Sequence, residues 1–181
     1  MKKLIVSVFA LAAVVLSVSA QKTANGTGNA ELLSQIAISG TNITGNTLGG
    51  TVVAGVLEFG KIGIGTANSV VTVSTAGARS LASGDAGLTV TTTTPSAAGF
   101  AVTGGAGLTY TLSVPANNIV TLTGPGPALK LQDFTKLSQS TTETLNGSGK
   151  DWFAVGASLE IPAAATAGAY TGTFQVVVNY N

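Results

Sequence analysis

From residue 51 onward the chain alternates two kinds of segment. Runs rich in Thr, Val, Ile, Phe and Tyr, which suit a pleated half-buried surface, are separated every eight to twelve residues by Gly, Asn, Pro and Ser clusters, which suit turns. The pattern predicts strands at 31–39, 51–58, 69–75, 86–93, 98–103, 108–114, 118–123, 128–134, 152–160 and 169–180. The last is the most regular. Phe174, Val176, Val178 and Tyr180 fall on one face and Thr173, Gln175, Val177 and Asn179 on the other, so a period of two turns four large apolar groups inward. Leu108, Tyr110, Leu112 and Val114 alternate in the same way against Thr109, Thr111 and Ser113. Trp152 and Phe153 open a core strand through Val155, Ala157, Leu159 and Ile161, stopped by Pro162, which cannot donate to a ladder. Trp152 and Tyr110 both read as core residues. Many short strands with regular turns predict an all-β, antiparallel β-sandwich over 51–181.

The first fifty residues differ. Lys2 and Lys3 precede an apolar run from Leu4 to Leu16, and Val18-Ser19-Ala20 supplies small residues for a peptidase. Residues 1–20 therefore read as a secretory signal peptide cleaved after Ala20, because the run is shorter than the roughly 20 apolar residues a bilayer requires. Residues 21–50 read as a pliable arm. Its 21–29 stretch lacks periodicity, its 30–38 stretch alternates (Leu32, Ser34, Ile36 and Ile38 on one face), and a Gly/Asn/Thr-rich link from Gly40 to Gly50 follows. No fixed-period repeat is visible.

Composition narrows the chemistry. Only 8% of the 181 residues are charged, and there is no His and no Cys. His- or Cys-based zinc sites, disulfides and His-dependent triads are excluded. Without Lys2 and Lys3, six basic residues face seven acids, which argues against a nucleic-acid partner. No other stretch is long and apolar enough to be a transmembrane span. The carboxylates (Glu31, Glu58, Asp85, Asp133, Glu143, Asp151, Glu160) form no pair or calcium-loop motif. The glycine clusters lack dinucleotide-binding spacing and read as turn or bulge residues. With so few titratable groups, no catalytic residue, metal or cofactor is expected, and the chain does not read as an enzyme.

The end of the chain, Gly168-Ala-Tyr-Thr-Gly-Thr-Phe-Gln-Val-Val-Val-Asn-Tyr180-Asn181, makes a Gly the fourteenth residue from the end and a Tyr the penultimate one. This resembles the C-terminal signature of bacterial chaperone–usher pilins. With Leu159-Glu-Ile-Pro, Leu57-Glu58-Phe59-Gly60 and Val71-Thr72-Val73 before Gly77 and Arg79, it also resembles a family of small bacterial surface proteins classed as a domain of unknown function. The pilin resemblance implies an immunoglobulin-like sandwich lacking its final strand, with a hydrophobic groove beside the C-terminal strand. A periplasmic chaperone fills that groove first, and the N-terminal extension of the next subunit replaces it at an outer-membrane usher. Carried onto this chain, Gly168, Phe174, Val176, Val178 and Tyr180 belong to the groove and C-terminal strand. Leu32, Ile36 and Ile38 are the plugs of a donor strand. The implied function is a structural subunit of a surface fimbria or pilus, partnered with copies of itself and located at the cell surface. Two alternatives stand beside it: 30–38 is the first strand of a self-complete sandwich, or the chain is a stand-alone adhesin-like binding module.

Overall fold

The computed structural model of the protein describes residues 30, 32–43, 51–88 and 93–181. The expected leader at 1–20, the 21–29 stretch, most of the 40–50 link and part of the 86–93 strand lie outside the described residues. The chain divides into two compact units, Met1–Leu32 and Leu33–Asn181. Of the first, Ala30 and Leu32 are described, and both are exposed. The second is all-β. Its strands are β1 (Ala37–Gly40), β2 (Val52–Ala54), β3 (Ile62–Gly63), β4 (Ser69–Val73), β5 (Arg79–Ser83), β6 (Gly87–Leu88), β7 (Ala97–Thr103), β8 (Tyr110–Ser113), β9 (Thr121–Leu122), β10 (Leu129–Ser138), β11 (Lys150–Ile161) and β12 (Val177–Tyr180). Among the described residues there is no helix.

The twelve-residue β11 organises the fold. One edge pairs with β10 along nearly its whole length; the other pairs with β7 over Lys150–Val155 and with β4 over Ala157–Ile161. β9 extends β10, β5 extends β4, and β1 and β2 share the outer edge of β7. Pairing is antiparallel throughout, apart from the three-residue β2–β7 contact. β12 and β8 form a separate antiparallel ribbon, as do β3 and β6. The result is a β-sandwich-like domain.

Alternation along β11 explains the layering. Phe153, Val155, Ala157, Leu159 and Ile161 are at most 5% exposed and face the interior. Phe153 and Val155 meet Tyr110 and Leu112 of β8, while Ala157, Leu159 and Ile161 meet Val71 and Val73 of β4 and Leu129 and Leu131 of β10. Trp152 and Ala154 turn to the opposite face, where Ala154 is buried with Ile43, Val52 and Ala97. Trp152 is therefore only half-buried on the far side of the sheet, one position out of phase with the core strand it was expected to open. Tyr110 is fully buried, as expected.

Three segments depart from the predicted pattern. β5 was not foreseen because its sequence, Arg-Ser-Leu-Ala-Ser, lies largely exposed and carries no alternation; a tight turn in which the Gly77 amide donates to the Ser74 carbonyl folds it onto β4. The 128–134 strand continues to Ser138 past a bulge at Gln132/Thr135, where Asn117 accepts from the Asp133 amide at 2.7 Å and donates to its carboxylate at 3.0 Å. The 169–180 strand forms a ladder only over β12; residues 172–176 are extended in sequence pattern but pair with no strand.

Candidate functional site

The C-terminal segment keeps its alternation but not full burial. Phe174, Val176, Val178 and Tyr180 are half-buried, with Gln175, Val177 and Asn179 exposed between them. The apolar row packs against the cluster formed by Val102, Tyr110, Leu112, Leu145, Phe153 and Val155. Ile36 and Ile38 join the same cluster from the N-terminal side. The register aligns Ile38 with Val102, so the strand lies in its own molecule's sheet, antiparallel to β7. Leu32 is 94% exposed and Leu33 is 55% exposed, so neither is a buried plug. Of the eight residues singled out, six converge here. Gly168 does not line this site; it adopts φ 152° against Pro125, whose Cγ would stand 2.4 Å from any added Cβ.

Between β1 and residues 174–177 lies an open groove of about 460 Å³, lined by Ile38, Ser39, Gly40, Phe100, Phe174, Gln175, Val176 and Val177. Phe100 stacks on Phe153 at 5.2 Å between ring centroids and meets Phe174 edge-on at 6.3 Å. Among the described residues β1 pairs with one strand, β7, and Ile38, Ser39 and Gly40 of β1 line this groove. The other side of the β8–β12 ribbon is closed differently. The Tyr110 amide donates to the Glu143 carbonyl (2.9 Å) and the Leu112 amide to Glu143 Oε2 (3.0 Å). Lys136 Nζ donates to the Leu112 carbonyl (2.5 Å) and pairs with Glu143 Oε1 (2.6 Å). Charged side chains thus seal that edge, the usual protection against unwanted strand pairing, whereas the described residues lining the β1–174 seam carry no charge.

Tyr180 joins the two sides of the seam. Its hydroxyl accepts from the Gly105 amide (2.6 Å) and donates to the Ser34 carbonyl (2.9 Å). Gly104 makes room: a Cβ there would stand 2.2 Å from the Tyr180 oxygen. Beneath the seam the Tyr110 hydroxyl donates to Asp151 Oδ2 at 2.8 Å. Burial, and then this bond to a carboxylate, push the Tyr110 phenol well above its ordinary range. Asp151 is 6% exposed and also accepts from the amides of Trp152 (2.8 Å) and Ser140 (3.3 Å). The carboxylate is satisfied by structural donors. Among the described residues, no group of three or more acidic, His or Cys side chains is placed to hold a metal ion, and no helix is long and apolar enough to cross a membrane.

A second depression, of about 290 Å³, lies on the outer face of the sheet. Trp152 lines it with Asn42, Gln139, Asn146 and Lys150. Sequence reasoning missed this site because it placed Trp152 in the core.

Sheet arrangement and seam together define a β-sandwich-like domain whose β1 edge borders an open groove. Residues 51–180 match a family described as a domain of unknown function (DUF4402), and the chain belongs to that family. The matched region contains β2 to β12 and excludes β1. No curated protein and no solved structure matches the chain.

Proposed function

We propose that the chain is a structural subunit of a bacterial surface filament, exported by its leader and joined to the next copy by donation of the N-terminal strand. One observation carries this reading. Among the described residues β1 is a four-residue strand paired on one side, and half-buried Ile36 and Ile38 pack against the core cluster beside the C-terminal apolar row, next to an open groove. An element held so lightly is exchangeable, because the same segment from a second copy restores every contact it made at home. The interface is head-to-tail, so exchange builds an open fibre and not a closed ring. The position of β1 outside the family region supports its reading as an appended arm. The end pattern Gly168 to Tyr180 adds the pilin resemblance, and with it a periplasmic chaperone and outer-membrane usher as assembly partners. The test is electrophoresis of the purified mature chain in SDS without boiling. Ladders that vanish on deletion of residues 21–39 support donation; monomers at every concentration contradict it.

The outer depression favours a second reading, a binding module for saccharides. Trp152 is partly uncovered there, and amide and ammonium side chains surround it, the combination that stacks on and hydrogen-bonds a sugar ring. Trp152 is the chain's only tryptophan, so its fluorescence reports the site directly. Saturable changes in emission with a glycan panel support this role, and an unchanged spectrum across the panel removes it.

A further inference from the structure

We infer that Tyr180 is a clasp that decides whether the N-terminal arm stays in its own molecule or becomes available to a second copy. The filament reading enters only in what the released arm does next. Three features place the control at this hydroxyl. It is bonded at once to the arm, through the Ser34 carbonyl, and to the β7–β8 loop, through the Gly105 amide. Both acceptor and donor belong to the main chain, so the clasp depends on Tyr180 itself and not on the side chains of its partners. The close approach of Gly104 leaves the hydroxyl a fitted place in which a larger residue would displace it.

Past Gly40 the arm is anchored by the Thr41 amide donating to the Gly99 carbonyl and by buried Ile43; ahead of that anchor its attachment is lighter. From Ser34 to Gly40 it is held by the one-sided ladder to β7 and by two half-buried isoleucines. Ser39 and Gly40 border the open groove. Among the described residues of this stretch, the bond at Ser34 lies farthest from the anchor at Thr41 to Ile43, so it weighs on the local opening of 36–40. The ring of Tyr180 is a separate matter: with Val178 and Ile38 it packs against the same buried cluster, a contact that Tyr180→Phe should keep.

The experiment is amide hydrogen exchange of the monomeric protein, comparing residues 36–40 with β11. In Tyr180→Phe, exchange in 36–40 should rise about fivefold while β11 is unchanged. Gly104→Ala, which crowds the oxygen from the other side, should give the same local rise. Ser34→Ala should leave exchange as it is, since the acceptor is a backbone carbonyl. Unchanged exchange in Tyr180→Phe overturns the clasp, and so does a rise shared equally by 36–40 and β11. Ladder formation is scored separately. A loosened arm without ladders in either protein keeps the clasp and removes the filament reading. Ladders with an unchanged arm do the reverse.

Discussion

At the scale of single residues, few titratable groups are placed where their charge matters, and Asp85 is the clearest. Its carboxylate accepts from Thr66 Oγ1 (2.7 Å), the Thr66 amide (2.8 Å) and the Ala67 amide (3.1 Å). These bonds, the Thr66 hydroxyl foremost, lower its pKa from 3.8 to about 2. A depressed acid contributes stability that is present above the unfolded value and lost as pH falls through the folded one. The amide resonances of Thr66 and Ala67 should therefore titrate with a midpoint near 2 and not near 3.8, and Asp85→Asn should abolish the transition. A buried counterpart is the Tyr110–Asp151 pair. Tyr110→Phe withdraws one donor from a carboxylate that stays buried, and should lower stability by about 1–3 kcal/mol in urea unfolding. Neither arrangement was legible beforehand. Asp85 meets Thr66 from 19 positions away, and Tyr110 meets Asp151 from 41.

At the scale of elements, period-two patterning was informative wherever one face is buried and the other wet. The alternations of 108–114 and 174–180 appear in the structure in the expected phase, because a one-residue slip would bring Thr and Asn inward. The same reasoning failed for Trp152. β11 is covered on both faces over its first half, so an apolar run there carries no phase information. It failed for β5, which is exposed and defined by its turn and partner. The density of the core along β11 gives the element-scale prediction. Phe153 is fully buried and stacks on Phe100, so Phe153→Ala should destabilise by about 3–5 kcal/mol in a denaturant titration. A change below about 1 kcal/mol would mean that this layer collapses around the gap.

For the whole molecule, the uneven treatment of edges is the organising feature. Glu143 and Lys136 close one side of the β8–β12 ribbon with charge, while an apolar groove is left beside β1. Sequence patterning located both strips that flank this groove, Ile36/Ile38 and the Phe174–Tyr180 row, since each alternates on its own. It was silent on the groove between them, the sealing ion pair and the tyrosine bridge, all of which arise from tertiary approach. The same gap in information left self-completion open beside the expected donation. The structure places β1 in its own sheet, and exchange between copies remains the proposal that the one-sided edge supports.

The most direct measurement exploits the absence of cysteine. Ala37 and Thr103 are register partners across β1 and β7, so the double variant Ala37→Cys, Thr103→Cys reports whose arm occupies the edge. After oxidation, fresh monomer should hold the disulfide within one chain. Protein concentrated and left to assemble should give covalent ladders that collapse to monomer on reduction. Cross-links confined to single chains under both conditions would contradict strand exchange.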